Sequence, residues 1–109
     1  MILPQGWTPV TDAAAATLLS ELRREMPATH QLRGQDVQAI ARRDHRDDVL
    51  FRSPSEGGPV FWVHLTWSVE SDPKWPWTVV YESLGDFLER WPREEPREEL
   101  EGDLGEDAG

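Results

Sequence analysis

PVFWVHLTWS, residues 59–68, is the stretch that decides the fold, a run in which nearly every side chain is apolar, aromatic or β-branched. Such a composition over this length reads as a central β-strand. Strand side chains alternate between two faces, so Phe61, Val63, Leu65 and Trp67 share one face and Val60, Trp62, His64 and Thr66 the other. Both sets are largely apolar, and the strand is therefore expected to have a neighbour on each edge and cover on each face.

Strand character recurs on either side. Val37–Arg43 (VQAIARR) and Asp48–Ser53 (DVLFRS) precede it across the polar turn 44–47 and the Gly/Pro turn 54–59, and Trp77–Glu82 (WTVVYE) follows the irregular SDPKWP segment, 71–76. Short links between successive strands favour antiparallel neighbours, so these four form a meander.

A helix is expected on each flank. Thr11–Met26 has Thr11 or Asp12 as a cap, four consecutive alanines, an apolar stripe of Ala15, Leu18, Leu19, Leu22 and Met26, and Pro27 as a stop. Glu21, Arg23, Arg24 and Glu25 fall mostly off that stripe. Leu84–Trp91 follows the cap Ser83, with Leu84, Phe87, Leu88 and Trp91 on one face and Pro92 as its end. Residues 1–10 form an apolar lead-in through Ile2, Leu3 and Trp7. The predicted architecture is α+β: N-terminal helix, four-stranded antiparallel meander sheet, C-terminal helix, disordered acidic tail. The helices are expected on the Phe61 face, leaving the face of Trp62 and His64 the more open, although either face is apolar enough to accept a helix.

At 109 residues the chain holds one domain, residues 1–91, and a tail, residues 92–109. The net charge is −10, of which −6 lies in residues 92–109, where Leu100 and Leu104 are the large apolar residues. That composition cannot bury enough surface to offset ordering, so a disordered tail is expected, as a solubiliser or as a docking strand for a basic partner. A body of this charge argues against nucleic acid as a partner. No leader-like or membrane-length apolar stretch is read, so no membrane partner is expected. The absence of cysteine excludes disulfides and thiolate chemistry and fits a cytoplasmic home.

Motifs for common chemistries are missing: there is no G-x-S-x-G, glycine-rich phosphate loop, H-E-x-x-H or calcium-type acidic loop. The chain therefore reads as a non-enzyme with no catalytic residue, no cofactor and no metal ligand set. His30 and His45 lie in polar links and are expected at the surface, whereas His64 lies inside the central strand.

Six tryptophans in 109 residues are the compositional anomaly. Large rings fill the core of a small domain, but Trp and Tyr also anchor interfaces. Trp75, between Lys74 and Pro76 in a loop, is the leading candidate contact. Trp62, His64 and Thr66 on one strand, with Trp77 and Tyr81 on the next, extend the candidate partner-binding patch.

The runs AIARRDHRDDVLF, VHLTWS and PKWPWTVVYESLGDFLERW resemble an uncharacterised family of small bacterial proteins over roughly Ala28–Trp91. The resemblance implies a bacterial origin and a compact α+β domain, and transfers no activity and no site residue. In composition the chain is also broadly similar to immunity-type proteins, which neutralise toxins by covering their surfaces. The expected function is a protein-binding module for a basic partner. The alternatives are a small-molecule or enzymatic pocket around His64, and a homodimer that buries the open sheet face.

Overall fold

The computed structural model describes residues 3–55 and 57–94. Its elements are β1 (Trp7–Pro9), α1 (Asp12–Glu25), β2 (Gln38–Arg43), β3 (Asp48–Arg52), β4 (Val60–His64), β5 (Trp77–Tyr81) and α2 (Leu84–Glu94). The α+β reading holds, with one more strand than expected. All five strands lie in a single antiparallel sheet in chain order, β1-β2-β3-β4-β5. The additional strand, β1, is three residues long and contains Pro9, so it carries almost no strand signal of its own. Its pairing with β2 is what makes it a strand, through Trp7 opposite Arg43 and Pro9 opposite Ala41.

The central strand is shorter than expected. β4 ends at His64, and Trp67 has φ of 59°, a left-handed conformation that cannot continue a strand. Five continuous pairs with β3 and five with β5 hold β4 in the middle of the sheet.

The two faces of the sheet carry separate cores, and each is covered by its own helix. Leu18, Leu22 and Met26 from the α1 segment pack with Leu32, Val37, Ala39, Val49, Phe51, Phe61, Val63 and Leu65. On the opposite face Phe87 of α2 packs with Trp7, Ala41, Leu50, Val60, Trp62 and Tyr81, and Leu84, Leu88 and Trp91 join them. The expectation that both helices share the Phe61 face is thus corrected: α2 closes the face of Trp62. A bulge in β2 between Ala39 and Ala41 shifts the alternation, sending Ala39 to the α1 face and both Ile40 and Ala41 to the α2 face.

The aromatic core explains the tryptophan content. Trp62 is wholly buried and meets Trp77 at 5.2 Å, Trp91 at 6.0 Å, Trp7 at 6.2 Å and Phe87 at 6.5 Å, all near perpendicular. Edge-to-face pairs of this kind each add about 0.5–1.5 kcal/mol beyond area burial. Arg43 closes the cluster, its guanidinium 5.1 Å from the Trp91 ring and 6.0 Å from the Trp7 ring.

At its end α2 runs through Pro92 to Glu94, so Pro92 does not stop it. Pro92 donates no bond to the Leu88 carbonyl, but the stacked Phe87 and Trp91 rings keep the preceding turn docked. The predicted tail begins within this last turn; from residue 95 onward it lies outside the described residues, as does Ile2. No helix among the described residues is long and apolar enough to cross a membrane.

Candidate functional site

A loop of twelve residues, 65–76, joins β4 to β5, although neighbouring antiparallel strands need only a two-residue connection. Three groups, two of them buried and one at the surface, fasten it to the body. The first is Glu25 in the last turn of α1, a side chain with no solvent exposure. Its Oε1 accepts the Thr66 backbone N–H at 2.8 Å and the Thr66 hydroxyl at 3.1 Å, and its Oε2 accepts the Trp67 N–H at 2.6 Å. The Glu25 carbonyl in turn accepts the Glu70 N–H at 3.1 Å.

The second anchor is Asp47, in the turn between β2 and β3. Its carbonyl accepts the Leu65 N–H at 3.0 Å and its Oδ1 accepts the Trp67 indole N–H at 3.1 Å. These bonds over-determine Trp67, which is how a bulky residue comes to hold positive φ at a cost of about 1–2 kcal/mol.

His30 is the third. It was expected at the surface and is instead buried, because successive turns in the 27–36 link tuck His30 and Leu32 inward while most of the link stays exposed. Nδ1 accepts the Leu32 N–H at 3.0 Å, which leaves the proton on Nε2, and Nε2 donates to the Pro76 carbonyl at 2.8 Å. The Trp75-Pro76 peptide bond is cis.

The tethered loop displays apolar surface. The exposed large hydrophobic residues among those described are Trp67 (43% exposed), Val69 (71%), Trp75 (40%) and Val80 (45%), all within this loop and the strand it feeds. Glu70, Asp72 and Lys74 lie among them, with Lys74 Nζ 3.7 Å from Asp72 Oδ2.

Beside the loop, at the end of β4, His64 Nδ1 lies 2.6 Å from Asp48 Oδ1, and Arg43 lies 3.4 Å from Asp48 Oδ2. Asp48 is buried while the His64 side chain is about half exposed. Burial is the largest influence on the Asp48 carboxyl and pushes its pKa up, but His64, Trp62 and Arg43 outweigh it and hold the group below the ordinary aspartate value. The hydrogen bond to Asp48 raises the His64 pKa, burial opposes it, and the charges of Asp48, Asp47 and Glu25 add to the rise.

Glu25 is displaced furthest, with a pKa raised to about 7. Desolvation is the main cause, the adjacent Glu21 carboxyl adds to it, and the donors from Thr66 and Trp67 pull the other way. Glu21 itself is held down, chiefly by its hydrogen bonds from Arg24 at 2.7 and 2.9 Å.

These positions divide the six residues predicted to form the partner patch. Trp75 is exposed in the loop, His64 is half exposed at its base, and Thr66 is engaged by Glu25. Trp62 and Tyr81 are wholly buried under α2 and belong to the core, and Trp77 is half-buried against Trp62. They are not surface residues because α2 covers the face that was expected to be open. Sequence reasoning missed Glu25, yet Leu18, Leu22 and Glu25 are spaced i, i+4, i+7, so the carboxylate falls on the apolar stripe. It also missed Trp67 as an exposed ring by extending the strand to Ser68, four residues beyond His64, where β4 ends.

Two clefts lie elsewhere. One of about 600 Å³ runs between β1, the start of α1 and the turn at 44–47, and one of about 400 Å³ lies between α1 and the 32–36 link. His64 lines neither. Compared with known proteins, the chain matches no family model, no curated protein and no solved structure.

Proposed function

We propose that this chain is a protein-binding module that grips a basic partner protein with the loop 65–76, in the manner of an immunity-type inhibitor acting in the bacterial cytoplasm. The observation that carries the reading is a long loop, fixed at three anchors, that holds Trp67, Val69 and Trp75 out to solvent. Ordering a loop before binding lowers the entropy lost on association, and a rigid indole is the side chain that turns a small contact area into affinity. The surrounding Asp47, Glu70 and Asp72, with the net charge of −10, favour a basic partner and accelerate encounter.

The test is capture from the native host with wild-type bait beside Trp75→Ala and Trp67→Ala baits, followed by calorimetry on the purified captured protein. Each substitution is expected to weaken that complex by at least about 1–2 kcal/mol, with affinity falling as salt rises. Equal affinity for all three baits would sink the assignment of this loop.

A second reading rests on the Asp48–His64 pair. A buried carboxylate that orients an imidazole whose Nε2 has no partner among the described residues is the arrangement of a general base or a ligand hydrogen bond. Ligand screening that follows the His64 Cε1–H resonance tests it, and a spectrum unmoved by any ligand class would remove it.

A further inference from the structure

The two edges of the sheet are built differently. β1 is three residues long and ends in Pro9, and the Val10 N–H that follows is taken by the Ile40 carbonyl. A short, proline-terminated edge cannot template another strand. β5 is five residues long, pairs with β4 without a bulge, and contains no proline and no charged residue. Its outer edge carries no strand in the sheet order, and Val80 stands exposed beside it. The strand lacks the proline, the charge and the bulge by which proteins commonly blunt an edge.

We propose that β5 pairs antiparallel with β5 of a second copy of this chain, about a two-fold axis through Val79, to form one continuous ten-stranded sheet. The strand is self-complementary in character. Read outward from Val79, Thr78 and Val80 are both β-branched and Trp77 and Tyr81 are both aromatic. The two-fold therefore sets Thr78 opposite Val80 of the partner subunit on the α1 side, twice over by symmetry, while Trp77 and Tyr81 at the strand ends stay packed in the core beneath α2 of their own copy. Such cross-strand pairs are the favourable ones in antiparallel sheets. Because the strand is uncharged, the net charge of −10 on each copy is not brought face to face within the ladder. Five residues of ladder bury less than a tight interface needs, so the dimer is a weak one, in the micromolar range or above. This surface is the strand edge rather than the loop, and it stands or falls separately from the partner reading.

Sedimentation equilibrium on the full chain from about 1 µM to about 1 mM is expected to show a reversible monomer–dimer equilibrium. Val80→Lys should weaken it by at least about tenfold, and Thr78→Lys with Val80→Lys, which sets lysine against lysine, should leave monomer throughout. Thr78→Glu with Val80→Lys sets opposite charges in both symmetry-related pairs and should restore dimerisation to within about threefold of wild type. A wild-type chain that stays monomeric at the highest concentration overturns the proposal. So does a dimer indifferent to these substitutions, which would place the contact on another surface. Circular dichroism checks that each variant folds. Hydrogen exchange on the wild type is independent of them: amides of β5 should slow as concentration rises while those of β1 do not, and unchanged β5 exchange in a dimeric sample would also overturn it.

Discussion

Glu25→Gln is the substitution that probes the loop clamp most directly, because it keeps the shape of the side chain and removes its charge. In the wild type both carboxyl oxygens accept, Oε1 from Thr66 and Oε2 from the Trp67 N–H, and in the protonated form the proton goes to the neighbouring Glu21 carboxylate, so the hydroxyl oxygen still accepts. An amide has one acceptor, so in either orientation its NH₂ group confronts a backbone N–H that it cannot satisfy. A buried donor left unpaired costs about 1–3 kcal/mol. The charge works in the opposite sense. The folded pKa is raised from 4.5 to about 7, so between these values the folded chain binds more protons than the unfolded one. Stability from this group is then greatest below pH 4.5 and falls as pH rises towards 7, after which it is flat. At about 1.4 kcal/mol per pKa unit, the fall amounts to at most about 3 kcal/mol. Gln has no such dependence. Urea unfolding of both proteins at steps from pH 5 to pH 8 should therefore show the variant less stable by about 1–3 kcal/mol at the acid end, with the gap closing or reversing by the alkaline end. Taking the difference between the two proteins cancels the titration of His64 and Asp48 to first order. Stability curves that run parallel across the range would refute the claim that Glu25 is protonated near neutrality, and equal stability at the acid end would refute the clamp.

The remaining predictions concern the neighbours of that clamp. The His64 Cε1–H resonance should titrate with a midpoint above the ordinary value of about 6.5 and return towards it in Asp48→Asn, because the hydrogen bond to Asp48 is the main cause of the rise. The stability that His64 contributes is present below its unfolded pKa and lost as pH rises through the folded one, so His64→Ala should cost more at pH 5.5 than at pH 8. His30→Ala strands the Leu32 N–H and leaves the Pro76 carbonyl to the Thr78 hydroxyl alone, and should cost about 1–3 kcal/mol in urea unfolding while speeding exchange of amides in the loop 65–76. Trp62→Ala opens a cavity at the centre of the aromatic cluster and should destabilise by about 3–5 kcal/mol in thermal or urea melts; a loss under about 1 kcal/mol would contradict its central packing.

Much of the frame was legible because it obeys local rules. Thr11 accepts the Ala14 N–H and caps α1, Ser83 accepts the Asp86 N–H at the start of α2, and the four strands with strong β composition all form. What was hidden depends on long-range contact. β1 has no period of its own and exists because Arg43 and Ala41 lie opposite it. The placement of the helices could not be read from β4, whose two faces are almost equally apolar; it is settled by Phe87 and Trp91 of α2 finding Trp7 and Trp62, far apart in sequence. Of the site, Trp75 was visible from its proline-flanked loop. The anchors were not, since nothing around Glu25 or His30 announces that their partners lie 41 to 46 residues away.

The two proposals, taken together, constrain what the partner can look like. A two-fold through Val79 sets Trp77 opposite Tyr81 of the partner subunit, so the two strands begin four residues apart along the ladder, a separation of about 13 Å at 3.3 Å per residue. The loop 65–76 precedes Trp77 in each copy, and the pair of loops therefore leaves the ladder in opposite directions. One small partner cannot contact both loops with the same patch. A dimer would bind two partners, or one partner that is itself two-fold symmetric, and in the second case the weak edge pairing would be strengthened by the avidity of two linked contacts. Dimerisation and partner binding would then be coupled in free energy, so the stoichiometry of a purified complex, compared between wild type and Val80→Lys, carries information about both surfaces at once.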